Sequence, residues 1–82
     1  MQVEKIEESI RVCAAFDSGK MIPVWFRWKN RYYKVKNITK TWMSTGAEGR
    51  VRHFAVYDGA NLYELCFNIR SLEWILGRIS SE

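Results

Sequence analysis

The chain has 82 residues, enough for one domain with a thin core. It is 48% hydrophobic and 15% aromatic, which excludes a disordered polymer, and its apolar runs fall short of the ~18 residues of a membrane-spanning helix. The net charge of +4 is modest, but between Lys20 and Arg52 nine basic residues face a single acid, Glu48, so this segment carries +8 and the rest of the chain is net acidic.

Residues 1–8 are polar, with Glu4, Glu7 and Glu8. They are wrong for an export signal, which makes the cytoplasm the expected compartment. They read as a frayed lead-in or as an extension of the first strand, ahead of a single β domain over 9–80. From Ser9 the pattern has period two: Ile10, Val12, Ala14 and Phe16 alternate with Arg11, Cys13 and Ala15. Asp17-Ser18-Gly19-Lys20 supplies turn chemistry. A second strand runs from Met21 to Lys29, with Pro23 expected at an edge, a strand start or a bulge because it lacks an N–H.

Asn30-Arg31 is the expected hairpin loop, with a four-residue variant left open because a type I′ turn favours Gly where Arg31 stands. It places Trp28 opposite Tyr33 and Phe26 opposite Val35 on a buried face, with Arg27 opposite Lys34 and Trp25 opposite Lys36 on the other. Val35 and Ile38 are three apart, so a bend or bulge is expected at Lys36-Asn37. Ser44–Gly49 reads as a flexible loop, Val51–Tyr57 as a strand, Asp58–Asn61 as a hairpin turn and Leu62–Asn68 as a further strand. For 71–79, a short helical turn capped by Ser71 and a last strand are both open. The expected fold is all-β: a small antiparallel, partly open barrel or roll of five to six strands. Its expected core is Ile10, Val12, Phe16, Phe26, Trp28, Tyr33, Val35, Phe54, Val56, Leu65, Phe67, Trp74 and Leu76.

Pro23, Phe26, Trp28, Arg31, Tyr33, Val35, Ile38 and Trp42 stand in the pattern P-x-x-F-x-W-x-x-R-x-Y-x-V-x-x-V-x-x-x-W. Later come Tyr63-Glu64-Leu65-Cys66-Phe67-Asn68 and Trp74-Ile75-Leu76-Gly77-Arg78-Ile79. Over about residues 23–79 this resembles a family of small bacterial β domains of unknown function. The resemblance implies a terminal β hairpin with the connection Ile69–Glu73, and supplies no activity. Asn30 stands where that family often has Gly, and Asn tolerates the same left-handed conformation.

Catalytic and metal signatures are missing from the linear sequence. His53 is the one histidine, the cysteines Cys13 and Cys66 lack metal spacing, and no phosphate-binding or nucleophile-elbow motif occurs. Two free thiols are favoured over a disulfide. No metal, small-molecule cofactor or enzymatic activity is expected. The candidate binding face is the outward side of the hairpin: Trp25, Arg27, Lys29, Tyr32, Lys34 and Lys36. Ordinary solvation of a wet sheet face accounts for such a pattern, and so does stacking of cations on Trp25. The functional expectation is a non-catalytic binding or interaction module for a protein partner, with single-stranded nucleic acid as the alternative because cations and interleaved aromatics suit unpaired bases.

Overall fold

The computed structural model describes residues 2–81. Its regular elements are all strands: β1 (Gln2–Asp17), β2 (Lys20–Trp28), β3 (Arg31–Lys34), β4 (Asn37–Gly46), β5 (Gly49–Tyr57), β6 (Leu62–Asn68) and β7 (Trp74–Ser81). Among the described residues there is no helix, hence none long and apolar enough to cross a membrane. The strands form one antiparallel sheet in the order β3-β2-β1-β7-β6-β5-β4, not closed into a barrel. Five to six strands become seven because the segment after the first hairpin divides at Val35-Lys36.

That division shapes the molecule. The two edge strands, β3 and β4, are consecutive in the chain. A flat seven-stranded sheet would hold its edges about 29 Å apart at ~4.8 Å per strand. The residues between Lys34 and Asn37 can bridge at most about 11 Å. The sheet therefore curls. Val35 N–H donates to Val24 O (2.9 Å) and Lys36 N–H to Tyr57 O (2.8 Å), so this joint leaves β2 at one residue and meets β5 at the next. The Cα radius of gyration, 12.1 Å, is that of a compact domain of this length, about 12 Å.

Turn chemistry sets most of the connections. Ser18 and Gly19 (φ 52° and 76°) link β1 to β2, and Lys29 and Asn30 (φ 50° and 61°) link β2 to β3. Two successive left-handed residues suit the twist of a tight hairpin. The loop thus sits one residue earlier than Asn30-Arg31, and the register changes with it. Phe26 pairs with Tyr33, Arg27 with Tyr32 and Trp25 with Lys34. The change moves each pairing by two positions, so every side chain keeps its face. The Arg27–Lys34 and Trp25–Lys36 oppositions do not form.

Pro23 falls where the β1–β2 register shifts, so its missing N–H sits at a bulge. At Asp58–Asn61 the Asp58 carboxylate accepts from the N–H groups of Ala60 and Asn61 and from the Tyr63 hydroxyl. Burial alone would raise its pKa, but these bonds outweigh it and hold the carboxyl below its ordinary value. Ser44–Gly49 is not a loop: β4 runs to Gly46, β5 restarts at Gly49, and Gly46 pairs with Gly49 around Ala47-Glu48. Residues 2–8 extend β1 and pair with β7. Residues 74–81 are a strand after the connection 69–73, and the helical alternative is excluded.

The inner face of the curl holds the core: Phe26, Phe54, Val56, Tyr63, Leu65 and Leu76. Ile10, Val12, Trp28, Tyr33, Val35, Phe67 and Trp74 pack around it, joined by Ile6, Met21, Ile38 and Ile79. Phe26 is the hub. Its ring stacks on Tyr33 (centroids 4.9 Å, interplanar angle 10°) and meets Tyr63 edge-on at 5.1 Å. Phe16 is a correction: it is 77% exposed, because it lies beside the β1–β2 turn, past the packed part of the curl. Phe26→Ala is expected to destabilise by about 3–5 kcal/mol in urea denaturation, the usual large-to-small cost at a filled site. Phe16→Ala should stay within about 0.5 kcal/mol, as at an exposed position.

Candidate functional site

Alternation along β1, β2 and β3 turns Ile10, Val12, Phe26 and Tyr33 inward, and so turns Arg11, Cys13, Trp25, Arg27, Tyr32 and Lys34 outward. Register aligns them in rows. Arg11, Arg27 and Tyr32 make one row; Cys13, Trp25 and Lys34 make the next. None of these six is acidic. The Trp25 and Tyr32 rings meet edge to face at 5.2 Å. The Arg27 guanidinium lies 5.8 Å from the Tyr32 centroid and donates to Asn30 Oδ1 at 2.8 Å. It is thus held at the surface, aromatic on one side and amide on the other.

Of the residues expected on this face, the structure brings together Trp25, Arg27, Tyr32 and Lys34. Lys29 belongs to the turn, and its Nζ lies over the Trp28 ring at 4.9 Å, on the inward side of the hairpin. Lys36 lies in the joint between β3 and β4, its chain along Gly59 of the β5–β6 turn. Arg11 is the addition. Its place opposite Arg27 depends on the β1–β2 bulge, and its period-two position in β1 was the only signal the sequence held for it. Like charges facing each other across a strand pair repel, so a bound anion there would relieve the pair.

A second outward group lies on β4, β5 and β6. His53 pairs with Trp42 on one side and Cys66 on the other. The Trp42 ring stacks on the imidazole at 5.0 Å, 4° from parallel. Ser44 Oγ is 2.7 Å from His53 Nε2, and Glu64 Oε2 is 3.3 Å from His53 Nδ1. Cys66 Sγ is 3.5 Å from both that nitrogen and that oxygen. Arg78 Nε approaches the other carboxylate oxygen at 3.8 Å. Burial pushes the Cys66 thiol up to about 12, with the Glu64 carboxylate adding to the shift. Sequence reasoning passed over this group because its members are scattered among three strands.

A cleft of about 440 Å³ opens between the β1–β2 turn and β4–β5, lined by Phe16, Met21, Ile22, Ile38 and Phe54 with Lys20 and Arg52. It lies in the seam the curl leaves open. Among the described residues no strand pairs with Lys20–Pro23 on the side away from β1, and β4 has no partner opposite β5.

Compared with models of protein families, with curated proteins and with solved structures, the chain gives no match.

Both cysteines are free, Cys13 exposed and Cys66 half-buried. With a thiol-reactive chromophore at pH 8, Cys13 is expected to react first. Cys66 should stay silent until denaturant is added, its thiolate fraction on the order of a thousandfold below that of an ordinary thiol. Two equal fast phases in the native protein would contradict that environment.

Proposed function

We propose that the chain is a non-catalytic binding module whose β1–β2–β3 face takes single-stranded nucleic acid. The observation that carries this reading is the pairing of Arg11 with Arg27 beside the Trp25–Tyr32 aromatic pair, with Lys34 in the next row and no carboxylate at any of these positions. Guanidinium and ammonium groups neutralise phosphates, and exposed rings offer stacking platforms to unpaired bases. Trp25 and Tyr32 are both solvent-accessible, at 37% and 68%. The face is a sheet surface with its side chains already placed, so little ordering is lost on binding.

The test is a titration of a fluorescently labelled oligonucleotide into the protein at low salt, read by anisotropy. Binding is expected to weaken with salt with a log–log slope of about −2, as for three phosphates neutralised on a single strand. Trp25→Ala should weaken it by roughly 5–150-fold, the equivalent of ~1–3 kcal/mol per stacked base. An absence of binding at concentrations on the order of tens of micromolar would sink the reading, as would binding that Trp25→Ala and Arg27→Gln leave unchanged.

A second reading, a protein partner, is favoured by the seam. Two unpaired strand edges flank an apolar cleft with Lys20 and Arg52 in its lining. The occupant these features suit is an extended peptide segment. It would pair its main chain with β4, set an apolar side chain over Phe54 and Ile38, and place an acidic residue beside the two cations. Peptides selected from a random displayed library are expected to alternate apolar residues, carry an acid, and lose binding to Ile38→Glu. Selected peptides that bind this variant as well as the parent would argue against the seam.

A further inference from the structure

The group on β5 and β6 contains a three-atom set whose shape is that of a metal site. His53 Nδ1, Glu64 Oε2 and Cys66 Sγ form a triangle with sides of 3.3, 3.5 and 3.5 Å. A tetrahedral zinc ion has Zn–N and Zn–O distances of about 2.0–2.1 Å and a Zn–S distance of about 2.3 Å. Those lengths give ligand–ligand edges of about 3.3 Å for N to O and about 3.5 Å for N to S and O to S. The three sides therefore match one face of a zinc tetrahedron, each edge with the right pair of elements. A donor set of one imidazole, one carboxylate and one thiol suits zinc better than a hard cation such as magnesium or calcium.

The surroundings hold these ligands in place. Ser44 Oγ takes up the far imidazole nitrogen at 2.7 Å. With Nε2–H donating to that hydroxyl, the Nδ1 lone pair is free to face a metal, which is how the second partner of a ligating histidine selects its tautomer. Trp42 stacks flat on the ring and fixes its plane. Arg78 sits on Glu64 Oε1, leaving Oε2 for the ion. The floor is Gly77. A Cβ there would stand 3.2 Å from both Cys66 Sγ and Glu64 Oε2, so a larger residue would crowd two of the three donors. His53 and Glu64 are 15% and 21% exposed, screened yet reachable from solvent.

We propose that His53, Glu64 and Cys66 form a zinc-binding site with three protein ligands and a fourth position open to water or to a ligand from a partner. Binding replaces the thiol proton: Cys66 S–H, which points to Glu64 in the metal-free network, releases H⁺ to solvent as the Zn–S bond forms. Affinity should then rise with pH. The groups facing the site are Glu7 from β1, Arg78 from β7, and Trp42 and Ser44 from β4.

The experiment uses the full-length, metal-stripped protein and Co²⁺ as a spectroscopic stand-in for Zn²⁺, followed by displacement with Zn²⁺. One equivalent of Co²⁺ is expected to produce a thiolate-to-cobalt band in the near ultraviolet and visible d–d bands of tetrahedral intensity, both bleached by Zn²⁺. Cys66→Ser should lose the thiolate band, and Glu64→Gln should weaken zinc binding at least tenfold. Cys13→Ser should leave every signal in place. Ser44→Ala, which removes only the orienting hydroxyl, should weaken binding by roughly 10-fold or more. Circular dichroism of each variant separates lost binding from lost fold. A wild-type protein without the thiolate band, or a band that survives in Cys66→Ser, would overturn the proposal.

Discussion

The short joint Val35-Lys36 is the constraint on which the molecule depends. Its two amides are bonded to opposite ends of the sheet, one to Val24 in β2 and one to Tyr57 in β5. Edges that a flat sheet would keep far apart are tethered by two residues, and the sheet must bend until they lie within that reach. The bend creates an enclosed inner face, and a chain this short fills such a space with a few large side chains. Phe26, Phe54 and Tyr63 take that role, with Val56, Leu65 and Leu76 between them. The tether acts at one point only. Beyond it the strands diverge, and the unpaired edges of β2 and β4 border the cleft beneath Phe16 and Ile38.

Bulges let long strands follow the curl. Register shifts occur in β1 against both neighbours, in β4 at Ile38–Lys40, and between β6 and β7 at Glu64–Leu65. Each one adds twist and re-aims the side chains beyond it. The shift at Pro23 turns Trp25 and Arg27 outward while Pro23 and Phe26 stay buried. That at Thr39 brings Trp42 outward over His53, and the Thr39 hydroxyl bonds the Ala55 carbonyl across the irregularity. The one at Gly77 removes a side chain from beneath Glu64 and Cys66. The two outward groups with chemical content both stand beside such irregularities.

The outward surface divides in character along the sheet. On β1, β2 and β3 the positive charge of the middle of the sequence meets Arg11, which comes from outside that segment. On β5 and β6 the outward positions pair a histidine with a cysteine and bring a carboxylate beside them. The first group offers diffuse charge and flat rings, which suit an extended anionic ligand. The second offers converging lone pairs at bonding separations, which suit a single small cation. One short sheet can carry both because its inner face alone supplies the core.

Local chemistry was legible in the residues themselves. Ser18-Gly19, the Asp58–Asn61 turn, the strand limits Leu62–Asn68 and the buried side of the hairpin all follow from turn preferences and period-two alternation, which act over a few neighbours. The hairpin loop falls one residue earlier than turn preferences place it, because Lys29 adopts a left-handed conformation that its side chain does not advertise. Phe16 obeys the alternation yet lies outside the core, because alternation assigns a face without saying where the facing wall ends. Tertiary structure alone decided the rest. The opposition of Arg11 and Arg27 rests on a bulge inside the β1–β2 hairpin, the convergence of His53, Glu64 and Cys66 rests on the register of the β5–β6 hairpin, and the pairing of β7 with β1 joins strands distant in sequence. Register between such strands is set by the packing of the whole inner face and by the tether that closes it, and no short stretch of residues contains that information.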